Sequence, residues 1–395
     1  TKYILDVCPF DSNHKGKDAC IFQGRNGAIG FHCFHNSCSG NTWRELRLLY
    51  EPDAYEKKLY EQERKMYQNF NRDKQPVVEI VQKDGVPVFM TAEDILNKPK
   101  VEESFIKTGV EIIDRKLRGL KKGYVSVVSG LRGSAKSTWL TDLSCVAIDC
   151  GNNVGVYSGE LTDKNYMKWM NLQLAGKTNV QPTSYEGYYK VPYDIQKKIA
   201  KWLSGKFYLY NNDYGNNFES IIKEFEKMIQ QCKLDLLILD NLMSFNVATM
   251  SVDKYEAQKM FIWKLQEIAK KYDVHIMFVA HPRKAMGFLR LDDISGSADL
   301  SNAVDNAFIV HRNNDDFKRL TKAMFMWKDD NTIYQSTNVI EIAKDRDGGI
   351  QDEFIPLWYE KESKRLKNYP AENRIYHWDN DGFIPATDYE QEMFK

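Results

Sequence analysis

The stretch Gly130-Leu-Arg-Gly-Ser-Ala-Lys136-Ser137-Thr138 follows directly on the apolar run Tyr124-Val-Ser-Val-Val-Ser129. A buried strand that runs into a glycine-containing loop, then into Lys and a hydroxyl at a helix start, is the architecture of a triphosphate cradle. Backbone N–H groups of the loop and of the helix N-terminus face the β/γ-phosphates, Lys136 adds a point charge, and the Ser137 hydroxyl is placed to ligate Mg²⁺. Gly130, Gly133, Ser134, Ala135, Lys136, Ser137 and Thr138 are therefore the expected contacts of ATP or a related nucleotide. Ala135 stands where a glycine is usual, and a positive φ there is costly for a residue with a Cβ.

The pattern around this motif predicts an α/β fold. From about 105 to 360 short apolar strands alternate with amphipathic helices: Tyr124 to Ser129, Val154 to Ser158, Phe207 to Tyr210, Leu234 to Leu239, His275 to Ala280 and Ala307 to His311 read as strands. The helix Phe218 to Cys232 places Phe218, Ile221, Ile222, Phe225, Met228 and Ile229 on one face. Such alternation implies a largely parallel sheet covered on both sides. Asn338 to Ala343 and Glu353 to Trp358 lack an intervening helix and are expected to pair as a hairpin at one edge. The segment 361–395 reads as a polar tail.

In parallel α/β sheets functional groups gather at the carboxyl ends of strands. Reading each strand at its end yields Glu160, suited to polarise an attacking water; Asp240, suited to the Mg²⁺ site; and His281, a donor near the γ-phosphate. Beyond His281, Arg283, Lys284 and Arg290 interleave with Met286 and Phe288, a composition that suits tracking a single-stranded backbone. A second loop, Met243 to Asp253, is nearly uncharged.

Thr108-Gly-Val-Glu-Ile-Ile-Asp-Arg-Lys-Leu-Arg-Gly-Leu-Lys-Lys-Gly123, Tyr157-Ser-Gly-Glu-Leu161, Ile238-Leu-Asp-Asn-Leu242, His281-Pro-Arg-Lys284 and Gly296-Ser-Ala-Asp-Leu-Ser-Asn-Ala-Val-Asp305 come in that order. The series resembles that of RecA-like replicative helicases, above all the DnaB and Twinkle group with its bacteriophage primase-helicases, over 105–360. The resemblance implies Glu160 as catalytic base, Asp240 as the acidic residue of the Mg²⁺ site and His281 as a sensor of the γ-phosphate. It also implies a basic finger supplied by a neighbouring subunit, for which Lys344 and Arg346 are the candidates. Such head-to-tail interfaces close into rings, and a hexamer is expected.

The first 38 residues hold four of seven cysteines, Cys8, Cys20, Cys33 and Cys38. Their spacing argues for metal ligation in a reducing compartment, the cytoplasm of a bacterial or phage-infected cell. Cys8, His14, Cys33 and Cys38 are the preferred ligands of a structural Zn²⁺, with Cys20 and His35 as competitors. Residues 1–50, with Gly30-Phe-His-Cys-Phe-His-Asn-Ser-Cys-Ser-Gly40, resemble the zinc ribbon of phage and plasmid primases; a connecting helix and linker follow over 51–104. A primase catalytic domain is not legible in the chain and would belong to an upstream segment or a partner protein. Fifty-five basic side chains balance 55 acidic ones, so any nucleic-acid surface must be local, and no apolar run is long enough for a membrane span. The expectation is an ATP-dependent DNA helicase translocating on single-stranded DNA. Its rivals are a RecA-type recombinase, mediator or loader that does not unwind, and a non-catalytic binding module.

Overall fold

Three antiparallel strands, β1 (Lys2–Cys8), β2 (Asp11–Gln23) and β3 (Ile29–Cys33), begin the chain and pair in the order β1-β2-β3. Helix α1 (Trp43–Tyr50) follows, its start fixed by a capping box in which the Thr42 N–H donates to Glu45 Oε2 at 2.8 Å. Ala19, Phe31 and Leu46 make a small core with Cys8, Cys33 and Cys38. A core of that size does not stabilise a module by itself. The computed structural model describes residues 1–24, 27–52, 54, 82–83, 86–87, 89–99, 102–215, 218–241, 254–282, 288–294, 303–328 and 331–379. The chain divides into two compact units, Thr1–Lys100 and Val101–Lys395. The connecting helix expected to run to about residue 70 lies outside the described residues.

In the second unit β4 (Val125–Ser129), β5 (Val154–Ser158), β7 (Leu236–Asp240) and β8 (His275–Val279) are buried at every residue. Strands of that kind need cover on both faces, which crossover helices supply. With β6 (Phe207–Leu209), β9 (Asn306–Arg312), β10 (Asn338–Asp345), β11 (Glu353–Tyr359) and β12 (Leu366–Lys367) they form one nine-stranded sheet in the order β6-β5-β7-β8-β4-β9-β10-β11-β12. The first six are parallel neighbours and the last three are antiparallel. Alternate side chains feed two cores. On one face Val128, Val156, Ile238 and Val279 meet α2 (Lys136–Asp149), α3 (Asp163–Ala175) and α4 (Tyr193–Leu203). On the other, Val127, Tyr157, Leu239 and Phe278 meet α5 (Phe218–Cys232) and α6 (Lys254–Tyr272). Ile221, Ile222, Phe225 and Ile229 of α5 are buried as its periodicity predicts.

Two differences from the sequence reading concern the end of the chain. The hairpin β10–β11 forms with Asn338 opposite Leu357, but β12 and not β11 occupies the sheet edge. The supposed polar tail is folded into the core as far as residue 379: Arg365 and Tyr376 are buried, and Arg374 pairs with the buried Asp142 of α2 at 3.2 Å. Arg365 donates to the carbonyls of Gln173 and Leu174, closing the C-terminus of α3. Its charged residues read as solvated, yet they satisfy one another inside.

Candidate nucleotide site and metal centre

The loop leaving β4 is held in a shape that only certain residues tolerate. Gly130 has φ +154°, and a Cβ there would lie 2.3 Å from the Val310 carbonyl oxygen, so the loop can leave the sheet beside β9 only without a side chain. Ala135, at the helix entrance, adopts φ +78° and ψ +28°, the left-handed conformation expected to be costly for it. Asn338, the first residue of β10, anchors the loop by donating to the Ser134 carbonyl at 3.0 Å. Lys136 starts α2, and its ammonium donates to the Gly130 and Leu131 carbonyls at 2.8 and 3.1 Å. Burial lowers its pKa, while Asp240 and Glu160 pull in the opposite direction.

Asp240 ends β7 and is almost fully buried. Burial raises its carboxyl above the usual range, and the hydrogen bond to Ser137 with the charge of Lys136 works against that rise. Glu160 lies just beyond β5, its turn tied down by the Gly159 N–H donating to the Asp240 carbonyl at 2.6 Å. Glu160, Asn241 and His281 form a triangle. The Asn241 amide donates to Glu160 Oε1 and lies 2.9 Å from His281 Nε2, which is 3.2 Å from the same carboxylate oxygen. Lys136, Ser137, Thr138, Glu160, Asp240 and His281 thus line one cavity of about 1050 Å³. Trp169, Arg312, Tyr359 and Lys364 add a further stretch of its wall. The sequence reading missed this wall and Asn241. Asn241 directly follows Asp240 and Arg312 ends the parallel β9, so both are legible by the strand-end rule; Trp169 on α3, Tyr359 at the end of the antiparallel β11 and Lys364 in the supposed tail lie where that rule does not reach.

The remaining candidates lie elsewhere. Lys344 and Arg346 close β10 at the amino ends of the parallel strands, away from the phosphate loop of the same chain; Lys344 donates to the Val304 carbonyl at 2.9 Å and Arg346 to Asp305 at 2.7 Å. Arg290, expected in a DNA-tracking loop, is instead held by Asp352 at 2.8 Å beside the rings of Phe288 and Phe325. Arg283, Lys284 and the loop Met243 to Asp253 lie outside the described residues.

In the first unit Cys8, His14, Cys33 and Cys38 bring one ligand atom each to within 4.8 Å of all the others. Cys8 Sγ and Cys38 Sγ are 3.9 Å apart, and His14 Nδ1 is 3.5 Å from Cys38 Sγ and 3.7 Å from Cys33 Sγ. A tetrahedral zinc with S₃N ligation has edges of about 3.5–3.8 Å, so the donors fit the ion. The second ring nitrogen of His14 faces Asp11 Oδ2 at 3.3 Å, the support that orients a metal-bound imidazole. Of the competitors, His35 stacks on His14 with ring centroids 3.7 Å apart, and Cys20 is buried in β2 outside the converging set.

The profile of a family described as AAA domain matches residues 92–287. The Twinkle homolog protein, chloroplastic/mitochondrial, of Arabidopsis thaliana is 24% identical over 222 residues, 53% of this chain and 31% of its own length. The chain thus spans about a third of that relative. Among solved structures, the ATPase domain of G40P aligns with a TM-score of 0.53 at 15% identity, over 70% of this chain and 95% of the other. A DnaB-like replicative helicase, whose structure was described with its interactions with primase, aligns at 0.54 and 13% identity over 70% and 66%. The second unit accordingly has the RecA-like fold of these ATPases. No helix among the described residues is long and apolar enough to cross a membrane.

Proposed function

From a RecA-like core of the DnaB and Twinkle kind, we propose that this chain is an ATP-driven motor that moves along single-stranded DNA and separates the duplex, within a phage or plasmid primase-helicase system. One observation carries the reading: Lys136, Ser137, Asp240, Glu160 and His281, drawn from the ends of four adjacent strands, β5, β7, β8 and β4, meet at one cavity at the carboxyl ends of the sheet. The Lys136 ammonium exchanges its two loop carbonyls for phosphate oxygens. Ser137 and Asp240 are the residues that would hold Mg²⁺, which supplies positive charge against the phosphoryl oxygens. Glu160 orients and deprotonates the attacking water, and Asn241 fixes its carboxylate in place. His281 shares that carboxylate and leads into the segment from 283 onward, so a change at the γ-phosphate reaches the region that carries Arg283 and Lys284.

Trp169 and Tyr359 offer flat apolar surfaces, and Arg312 and Lys364 positive charge, on the side of the cavity where a base and ribose would lie. Lys344 and Arg346 serve the site of a neighbouring protomer in a ring, and the four-ligand Zn²⁺ of the first unit is structural, leaving no open position for catalysis. The test is strand displacement on a forked DNA with ATP. Wild-type protein is expected to unwind it, and Lys136→Ala to abolish both hydrolysis and unwinding. ATP hydrolysis without displacement by the wild type would make it a loader or mediator instead.

A further inference from the structure

We propose that the hairpin of Gln181–Pro182 with Tyr189–Lys190, together with helix α4, is a second nucleic-acid surface that holds the single strand displaced from the duplex. The proposal rests on the reading of the chain as a DNA motor and places a ligand where the nucleotide site has none. Although the whole chain is neutral, residues 185–206 hold five lysines against Glu186 and Asp194, a net charge of +3. Lys190, Lys197, Lys198 and Lys201 are exposed, and among the described residues none of them is in an ion pair, whereas Lys116 and Lys121 in the same unit are paired with carboxylates.

The aromatic side chains here are concentrated as well. Tyr185, Tyr188 and Tyr193 are 74%, 64% and 71% exposed, three open rings within nine residues of one another. On α4, Tyr193, Lys197 and Lys201 recur every fourth residue and form one outward stripe, with the lysines about 6 Å apart along the axis. The inner residues Ile199 and Leu203 are buried. Lys197 Nζ sits 4.6 Å from the Tyr193 ring centroid, so charge and ring are presented together. Unpaired cations beside exposed flat rings match a chain of phosphates with unstacked bases and do not match a duplex, whose bases are not available for stacking.

The placement separates this patch from the segment that follows His281. Val191, Ile199 and Leu203 anchor the patch in the core on the face of α2 and α3. Leu289 and Ile294, which follow His281, pack into the core on the opposite face. A strand engaged beyond His281 and a strand engaged on α4 are therefore kept on opposite sides of the sheet.

The experiment uses the full chain on forked DNA carrying 5-iodouracil in one arm or the other. Photocrosslinks to Tyr185, Tyr188 or Tyr193 are expected from the displaced arm only. Tyr193→Ala is expected to weaken retention of that arm roughly tenfold, and Lys197→Gln with Lys201→Gln to reduce the slope of log affinity against log salt by about 1.4. Neither change touches the nucleotide cavity, so ATP hydrolysis stimulated by oligo-dT should stay within about twofold of wild type. Crosslinks absent from these tyrosines, or equal from both arms, overturn the proposal, as does a change in sedimentation of the variants, which would make the patch a contact between copies of the chain. If the wild type shows no DNA-stimulated hydrolysis at all, the motor reading fails first, and the two failures stay distinct.

Discussion

At Ala135 the chain adopts a left-handed conformation that costs a residue with a Cβ about 1–2 kcal/mol. Ala135→Gly removes that strain and adds back about 0.5–1 kcal/mol of unfolded-state entropy. The expected net is a stabilisation of up to about 1 kcal/mol in denaturant unfolding, with hydrolysis retained; a loss of stability would show that the Cβ is used in packing. A second residue sets a pH dependence. His275 begins β8 fully buried, its Nδ1 donating to the Lys121 carbonyl at 2.8 Å. Burial pushes its pKa down to about 4. The folded pKa lies below the unfolded value near 6.5, so the unfolded chain binds the proton first; stability is intact above about pH 6.5 and falls as pH drops towards 4, by roughly 3 kcal/mol. His275→Asn keeps a donor for the carbonyl and cannot titrate. Its unfolding free energy should be flatter across that window than the wild type's, and equal slopes would rule the histidine out as the cause.

Among the elements, the parallel strands were legible because residues buried on both faces must be apolar, as the unbroken run Leu236 to Leu239 shows, and the strand-end rule carried Glu160, Asp240 and His281 with them. What stayed illegible was buried and polar. Arg374 and Asp142 are charged, far apart in sequence, and look solvated until the segment after β12 folds onto α2; Arg290 likewise looks free until Asp352 is placed beside it. Breaking the first pair is therefore expensive: among the described residues, Arg374→Leu leaves Asp142 with only the Tyr376 hydroxyl at 3.3 Å and the Leu366 N–H at 3.4 Å as side-chain partners. A loss of about 3 kcal/mol is expected in chemical unfolding, mostly recovered by Asp142→Leu on the same background. Failure of the double variant to recover would show that α2 needs the charge itself. With Zn²⁺ held as proposed, the first unit depends on a different element, the ligands Cys8, His14, Cys33 and Cys38. A strong chelator should release one Zn²⁺ and unfold β1 to β3, seen as new protease cuts before residue 50, with hydrolysis by the second unit retained. A chain that holds no zinc, or whose ribbon survives the chelator, would place its stability in the small core alone.

For the whole molecule the decisive point is that Lys136 and Arg346 occupy opposite ends of one sheet, so one copy does not bring both to one nucleotide. Arg346 is bonded to Asp305, which also accepts from the Val125 N–H at 2.9 Å. A purely local role would make Arg346 a clamp on the first residue of β4, and its removal would cost stability in every assembly. A role in trans makes a different prediction. Arg346→Ala leaves an intact phosphate loop that lacks a finger, and Lys136→Ala leaves an intact finger beside a dead loop. Each variant alone should hydrolyse ATP at least 10³-fold more slowly than wild type, the scale of a missing finger. Mixed and allowed to exchange subunits, the two should regain hydrolysis, because junctions now form in which an Arg346→Ala loop receives the finger of a Lys136→Ala neighbour. Arg346→Lys, which keeps the charge on Asp305, separates the two roles: it should restore folding stability while hydrolysis stays low, since an ammonium does not offer the planar fork of a guanidinium. A mixture as inactive as its components would confine Arg346 to its own chain and remove the argument for a ring.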